Sequence, residues 1–178
     1  MTYLRTARLD LEPISLAMVE AVMAGRREDA ERIAEARVPT TWPNRALIER
    51  AFTASMDEIR ADPATRLWGD RLMIARDERG ERRVIGSVVF HGRPVDNGIA
   101  DMAYGVEEGS QGRGFATEAT RACTEWALAE PGVVAVAATT LPWHAASLRV
   151  MIKLGMVHIG TREHETLGEL VVYELRRA

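Results

Sequence analysis

The chain has 178 residues, of which 47% are hydrophobic and 28% charged, the size and composition of one soluble globular domain spanning 1–178. A net charge of −3 gives no case for nucleic acid as a partner, and the single cysteine, Cys123, excludes an intramolecular disulfide and a cysteine-based zinc site. Pro131 to Leu148 carries no charged side chain, but Pro131, Gly132, Pro142 and His144 interrupt it, so no membrane span is expected. The first residues lack the basic-then-apolar pattern of a signal peptide, and the chain reads as cytoplasmic.

Arg5 to Leu11 alternates loosely and suits a first strand. Ser15 can cap a helix carrying Met18, Val19 and Val22 and ending near Gly25, and a second helix runs from about Arg27 to Ala36. Asn44 can cap a third, in which Ile48, Phe52, Met56 and Ile59 recur at three- and four-residue spacing, with Pro63 marking its end. Trp68 to Ala75 and Arg83 to His91 read as strands joined by a turn at Asp77-Glu78-Arg79-Gly80. Asn97-Gly98 is a hairpin signal, since both residues tolerate positive φ, and it leads into a fourth strand, Ile99 to Val106. The helix from about Phe115 to Ala129 places Ala119, Ala122, Cys123, Trp126 and Ala127 on one face, where Cys123 reads as a buried structural thiol. Val133 to Thr140 is a continuous apolar run, as a strand covered on both faces requires. A shorter helix from about Ala145 to Leu154 ends at Gly155, and Val157 to Glu163 and Glu169 to Arg176 close the chain as strands. The span 99–140 is then a parallel βαβ unit in an otherwise antiparallel sheet. The expected plan is a three-layer α/β/α fold around a central mixed, mostly antiparallel sheet.

Between the fourth strand and the following helix stands Glu107 to Thr117, E-E-G-S-Q-G-R-G-F-A-T. The first N–H groups of a helix lack intrahelical partners, and the helix dipole makes that end partly positive. Gly112 and Gly114 remove side chains that would hold a phosphate away, and Arg113 adds a cation, so the stretch can cradle a phosphate or pyrophosphate. A glycine-rich turn without function would look much the same. The lysine and hydroxyl of a P-loop and the glycine spacing of the dinucleotide fingerprint are both missing, which disfavours nucleotide-dependent kinases and nicotinamide enzymes.

Gln111-x-x-Gly114-x-Ala116 matches the Q/R-x-x-G-x-G/A signature of the GNAT acetyltransferase superfamily. The fuller run, Asp101 to Val106 and then Gln111 to Ala119, resembles the RimJ/RimL branch, named for acetyltransferases of ribosomal-protein N-termini. Ala146 to Met156, with Ser147 and Leu154-Gly155, is similar to that branch's second signature, N-x-x-S-x-x-x-x-x-x-L-G-F. The resemblance implies the GNAT fold, with the sheet splayed between strands 4 and 5, and acetyl-CoA as co-substrate with no metal. It also implies transfer of the acetyl group to a primary amine, either a protein N-terminus or a small-molecule amine. Dimers are common in the family, so a homodimer is one expectation.

Carried over residue by residue, the resemblance gives Tyr104, Gly105 and Val106 to the pantetheine arm and acetyl carbonyl. Gln111, Gly112, Arg113, Gly114, Phe115 and Ala116 fall to the pyrophosphate, with Thr117 just inside the helix. His144 stands where the family usually has asparagine and can still hydrogen-bond the cofactor. Met151 occupies the cofactor-side position where many members place a tyrosine acid, and it cannot donate a proton. Asp101 occupies the position where the branch commonly has a glutamate, and is either the base that accepts the amine's proton or a structural aspartate. Ser147 is either the acid for the leaving thiolate or a helix-start hydroxyl bonded to backbone. The missing tyrosine leaves a second reading, a non-catalytic acetyl-CoA-binding regulator or sensor. Trp42 is either a core residue or part of an acceptor pocket, and Trp68 and Trp143 are equally open. His91, His158 and His164 show no ligand spacing and read as surface residues.

Overall fold

A computed structural model describes residues 3–43, 56–77 and 79–177. The expected first strand is two short ones. Strand β1 is Leu4–Arg5 and β2 is Leu9–Pro13, because the Thr6 N–H donates to the Leu9 carbonyl at 2.9 Å and the chain reverses there. Helix α1, Leu16–Met23, is capped by Ser15, whose hydroxyl accepts from the Met18 N–H at 3.2 Å. Helix α2, Arg27–Ala34, stops two residues before the expected Ala36, because Glu35 turns left-handed at φ 46°.

Asn44, Ile48 and Phe52 lie outside the described residues. The later part of that expected helix is α3, Met56–Ala61, which buries Ile59. Pro63 does more than end it. It opens α4, Pro63–Arg66, where its missing N–H costs nothing and Asp62 caps the turn by accepting from the Thr65 N–H at 3.1 Å.

Strand β3 is Arg71–Arg76 and β4 is Arg82–Phe90, joined by a turn in which Asp77 Oδ1 accepts the N–H groups of Arg79 and Glu81, each at 2.8 Å. Trp68 does not belong to β3. It turns inward to meet Phe90 and Trp126 at ring-centroid distances of 5.4 and 4.9 Å. Strand β5, Ile99–Val106, follows β4 after the connection 91–98 rather than a two-residue hairpin. Of the Asn97-Gly98 pair only Gly98 takes positive φ, at 67°; Asn97 acts through its side chain, which accepts from the Ile99 N–H at 3.0 Å.

A 3₁₀ turn, Glu108–Ser110, leads to α5, Phe115–Ala129. Strand β6, Ala135–Thr140, then α6, Ala145–Lys153, and the hairpin β7 (Val157–His164) to β8 (Gly168–Arg176) complete the chain. The eight strands form one sheet in the order β1-β2-β3-β4-β5-β6-β8-β7. Every pairing is antiparallel except β5 with β6.

The two sheet faces carry separate cores, which makes the plan three-layered. One face packs Leu11, Met73, Val88, Met102 and Val136 with Ala119, Cys123 and Ala127 of α5 and Met151 of α6. The other packs Leu72, Ile74, Val84 and Val89 with Met18 and Val19 of α1 and Ala30 and Ala34 of α2. Cys123 is fully buried, and burial pushes its thiol pKa up to about 12, so it is inert packing rather than a nucleophile.

Gly86 sits where β3 and β4 shift register beside Gly105 of β5. A Cβ there would overlap the Gly105 carbonyl oxygen. Gly86→Ala should therefore push β5 outward and destabilise the fold by about 1–3 kcal/mol. Thermal unfolding checks this; an unchanged melting temperature would show that β5 gives way without cost.

Candidate active site

Strands β5 and β6 begin together and then part. They pair only from Ile99↔Ala135 to Met102↔Ala138. Beyond that, Ala103–Val106 stay paired with β4, while Thr139 and Thr140 stay paired with β8. With strands normally about 4.8 Å apart, the divergence leaves a wedge whose β5 wall has no strand partner. A cavity of about 770 Å³ opens over it, bordered by β5, the Glu107–Thr117 connection and α6.

Helix α5 points its N-terminus at this cavity. Gly112 and Gly114 have φ of 73° and 82°, the left-handed region that glycine enters without strain. The first intrahelical bond runs from the Glu118 N–H to the Gly114 carbonyl at 3.1 Å. The amides of Phe115, Ala116 and Thr117 therefore lack helical acceptors, and all three residues border the cavity. The loop is held from outside as well. Glu118 accepts from Thr6 Oγ1 at 2.6 Å, from the Arg8 N–H at 2.9 Å and from Arg8 Nε at 2.7 Å. Arg8 in turn donates to the Arg113 carbonyl at 2.9 Å. Burial alone would raise the Glu118 carboxyl pKa, but these donors outweigh it and hold the pKa below the ordinary value.

The structure brings most of the expected cofactor residues to one cavity. Tyr104, Gly105, Val106, Gln111, Gly112, Gly114, Phe115, Ala116, Thr117, His144 and Ser147 all border it. Gln111 braces the loop by donating from Nε2 to the Val106 carbonyl at 3.0 Å. Tyr104 spans the wedge, its hydroxyl donating to the Ser147 carbonyl at 3.1 Å, and burial raises its pKa to about 12. The Ser147 hydroxyl meets His144 Nδ1 at 3.0 Å, and the same nitrogen lies 3.2 Å from Thr140 Oγ1.

Three expected residues do not border the cavity. Arg113 stacks its guanidinium 5.1 Å from the Phe115 ring centroid. Met151 is 1% exposed and part of the core. Asp101 lies in the still-paired part of β5, opposite Ala137, and its carboxylate is 3.7 Å from Arg162 Nη1.

Other residues border the cavity that the motifs did not single out for it. Arg149 and Lys153 stand one turn apart on α6 and supply positive charge beside the cradle; their i, i+4 spacing is the signal that would have paired them. Thr41, Val89, Ala103 and Glu107 also border the cavity, as does Trp42. Trp42 is 4% exposed and part of the core, and it also borders the cavity. Trp143 is 73% exposed and outside it. Among the described residues no group of His, Cys, Asp and Glu could hold a metal ion, and no helix is long and apolar enough to cross a membrane.

The fold matches known proteins over nearly the whole chain. Residues 8–157 fit the family model described as an acetyltransferase (GNAT) domain, and the chain belongs to that family of acyltransferases. A curated relative, the uncharacterized N-acetyltransferase YjdG of Bacillus subtilis, is 23% identical over 159 residues, covering 88% of this chain and 90% of its own. Among solved structures, a GNAT-family acetyltransferase from Bacillus anthracis superposes with a TM-score of 0.64 at 18% identity, covering 98% of both chains. RimL, a ribosomal L7/L12 α-N-protein acetyltransferase solved with coenzyme A, gives 0.66 at 12% identity, also with 98% of both chains covered.

Gly114→Glu should abolish acetyl-CoA binding, since it places a carboxylate where a phosphate would sit and forces a side chain onto a left-handed residue. Calorimetric titration with acetyl-CoA checks this, with thermal unfolding confirming that the variant is folded. Wild-type affinity in a folded Gly114→Glu protein would remove the loop from the cofactor site.

Proposed function

We propose that this chain is a cytoplasmic N-acetyltransferase of the RimJ/RimL type, a single domain that transfers the acetyl group of acetyl-CoA directly to a primary amine. The observation that carries the reading is the meeting of a free helix N-terminus, α5, with the unpartnered edge of β5. The first binds pyrophosphate through backbone N–H groups. The second offers strand backbone to a pantetheine arm and an N–H to the developing oxyanion.

The neutral amine attacks the thioester carbonyl and forms a tetrahedral intermediate. Collapse breaks the carbon–sulfur bond, and the proton lost by nitrogen balances the one gained by sulfur. Ser147 is the proposed donor to the thiolate, with its hydroxyl oriented by His144 Nδ1 at 3.0 Å. Asp101 is the proposed acceptor of the amine's proton. It lies on the same strand face as Ala103 and Gly105, which border the cavity, so it acts through water rather than by direct contact. On the acceptor side, the wall of Trp42, Val89 and Ala103 is apolar and suits an uncharged flank next to the reacting amine, on either a peptide or a small molecule.

Ser147→Ala and Asp101→Asn should each lower kcat about a hundredfold, the lower end of the span of general acid–base catalysis, while leaving acetyl-CoA affinity unchanged. Release of free thiol from acetyl-CoA, followed with a panel of peptide and small-molecule amines, measures this. Full activity in either variant would remove that residue from the chemistry. Tight acetyl-CoA binding with no turnover on any amine would favour a sensor instead.

A further inference from the structure

Glu107 directly follows β5 and carries a carboxylate that none of the assignments above use. The side chain is 3% exposed, although the residue borders the cavity. One oxygen, Oε1, accepts a short hydrogen bond from Ser110 Oγ and lies 3.6 Å from Arg83 Nη2. The other, Oε2, accepts from the Gly109 N–H at 3.1 Å and from Thr41 Oγ1 at 2.9 Å. Burial would raise the pKa of such a group, but the donors from Ser110, Thr41 and Gly109, together with the Arg83 charge, outweigh it and bring the pKa below its ordinary value. The carboxylate therefore accepts three hydrogen bonds and pairs with Arg83, a setting that favours its ionised form.

Its partners fall into two groups. The bonds to Gly109 and Ser110 are local and cap the 3₁₀ turn that feeds Gln111–Gly114. The bond to Thr41 crosses 66 positions of sequence and reaches the loop that presents Trp42. A local cap needs no such partner. Thr41 and Ser110 both border the same cavity, one on the Trp42 side and the other on the α5 side. Their only link through a side chain among the described residues is this carboxylate.

We propose that Glu107 is a positioning residue that couples the phosphate loop to the acceptor-side loop, so that filling the first orders the second. This rests on the reading of Gln111–Ala116 as the pyrophosphate site. A ligand that immobilises the 3₁₀ turn and the loop after it fixes Glu107, and a fixed Glu107 holds Thr41 and with it Trp42.

Amide hydrogen exchange with coenzyme A as the probe tests this, because it needs no knowledge of the amine. In the wild-type protein coenzyme A should slow exchange across 107–118 and also across 38–42. Thr41→Val, which keeps the shape but loses the hydroxyl donor, should retain the first effect and lose the second, and Thr41→Ser should restore both. Protection at 38–42 that persists in Thr41→Val would overturn the coupling, and so would protection at 107–118 alone in the wild type. If 107–118 showed no protection at all, the pyrophosphate reading would fall and take the coupling with it.

Discussion

Everything at the site follows from the point where β5 and β6 stop pairing, after Met102 and Ala138. A sheet that continued in register would satisfy the backbone of Ala103–Val106 and leave nothing for a ligand to bind. By parting there, the two strands leave a wall of polar backbone inside a protein, which is costly unless something completes it. The wedge is braced rather than loose. The Tyr104 hydroxyl reaches across to the Ser147 carbonyl, and Gln111 takes the Val106 carbonyl at its mouth. A pantetheine arm carries two amides and can complete the β5 wall as a short strand would.

The same divergence explains where the anion site lies. Leaving β5 at Val106, the chain must climb over the open edge before starting the crossover helix of a parallel βαβ unit, and α5 therefore begins directly above the wedge. Its N-terminus is locked from the far side by the Arg8–Glu118 pair and by Arg8 to the Arg113 carbonyl. Arg8 also stacks 4.5 Å from the Phe115 ring centroid, so one guanidinium meets a carboxylate, a carbonyl and an aromatic face. Such bracing lowers the entropy the loop still has to lose when a ligand orders it, and so leaves more of the contact energy as affinity.

Much of this was legible in the residues themselves. The apolar run Val133 to Thr140 announced a strand covered on both faces, and the small-residue face of Phe115 to Ala129 announced the helix that packs on it. Glycines at 112 and 114 marked backbone left bare of side chains that would hold a phosphate away. What local pattern could not show was anything that depends on distant partners. The strand expected over Arg5 to Leu11 breaks at Thr6 because that residue turns back on Leu9 and reaches Glu118. Trp68 leaves the expected strand for an aromatic cluster built with residues 22 and 58 positions away. Asp101 fits the motif position of a base, yet only the folded sheet shows Arg162 beside it. Glu107 carried no signal at all, since its meaning lies in Thr41 and Arg83.

The structure of this protein crystallised with coenzyme A tests most directly whether the parted strands and the α5 N-terminus make the cofactor site. The pyrophosphate should lie within hydrogen-bond distance of backbone N–H groups between Gly112 and Thr117, with the pantetheine arm in the wedge beside Ala103–Val106. Coenzyme A bound elsewhere, or β5 and β6 found paired through to Thr140 with the wedge closed, would contradict it.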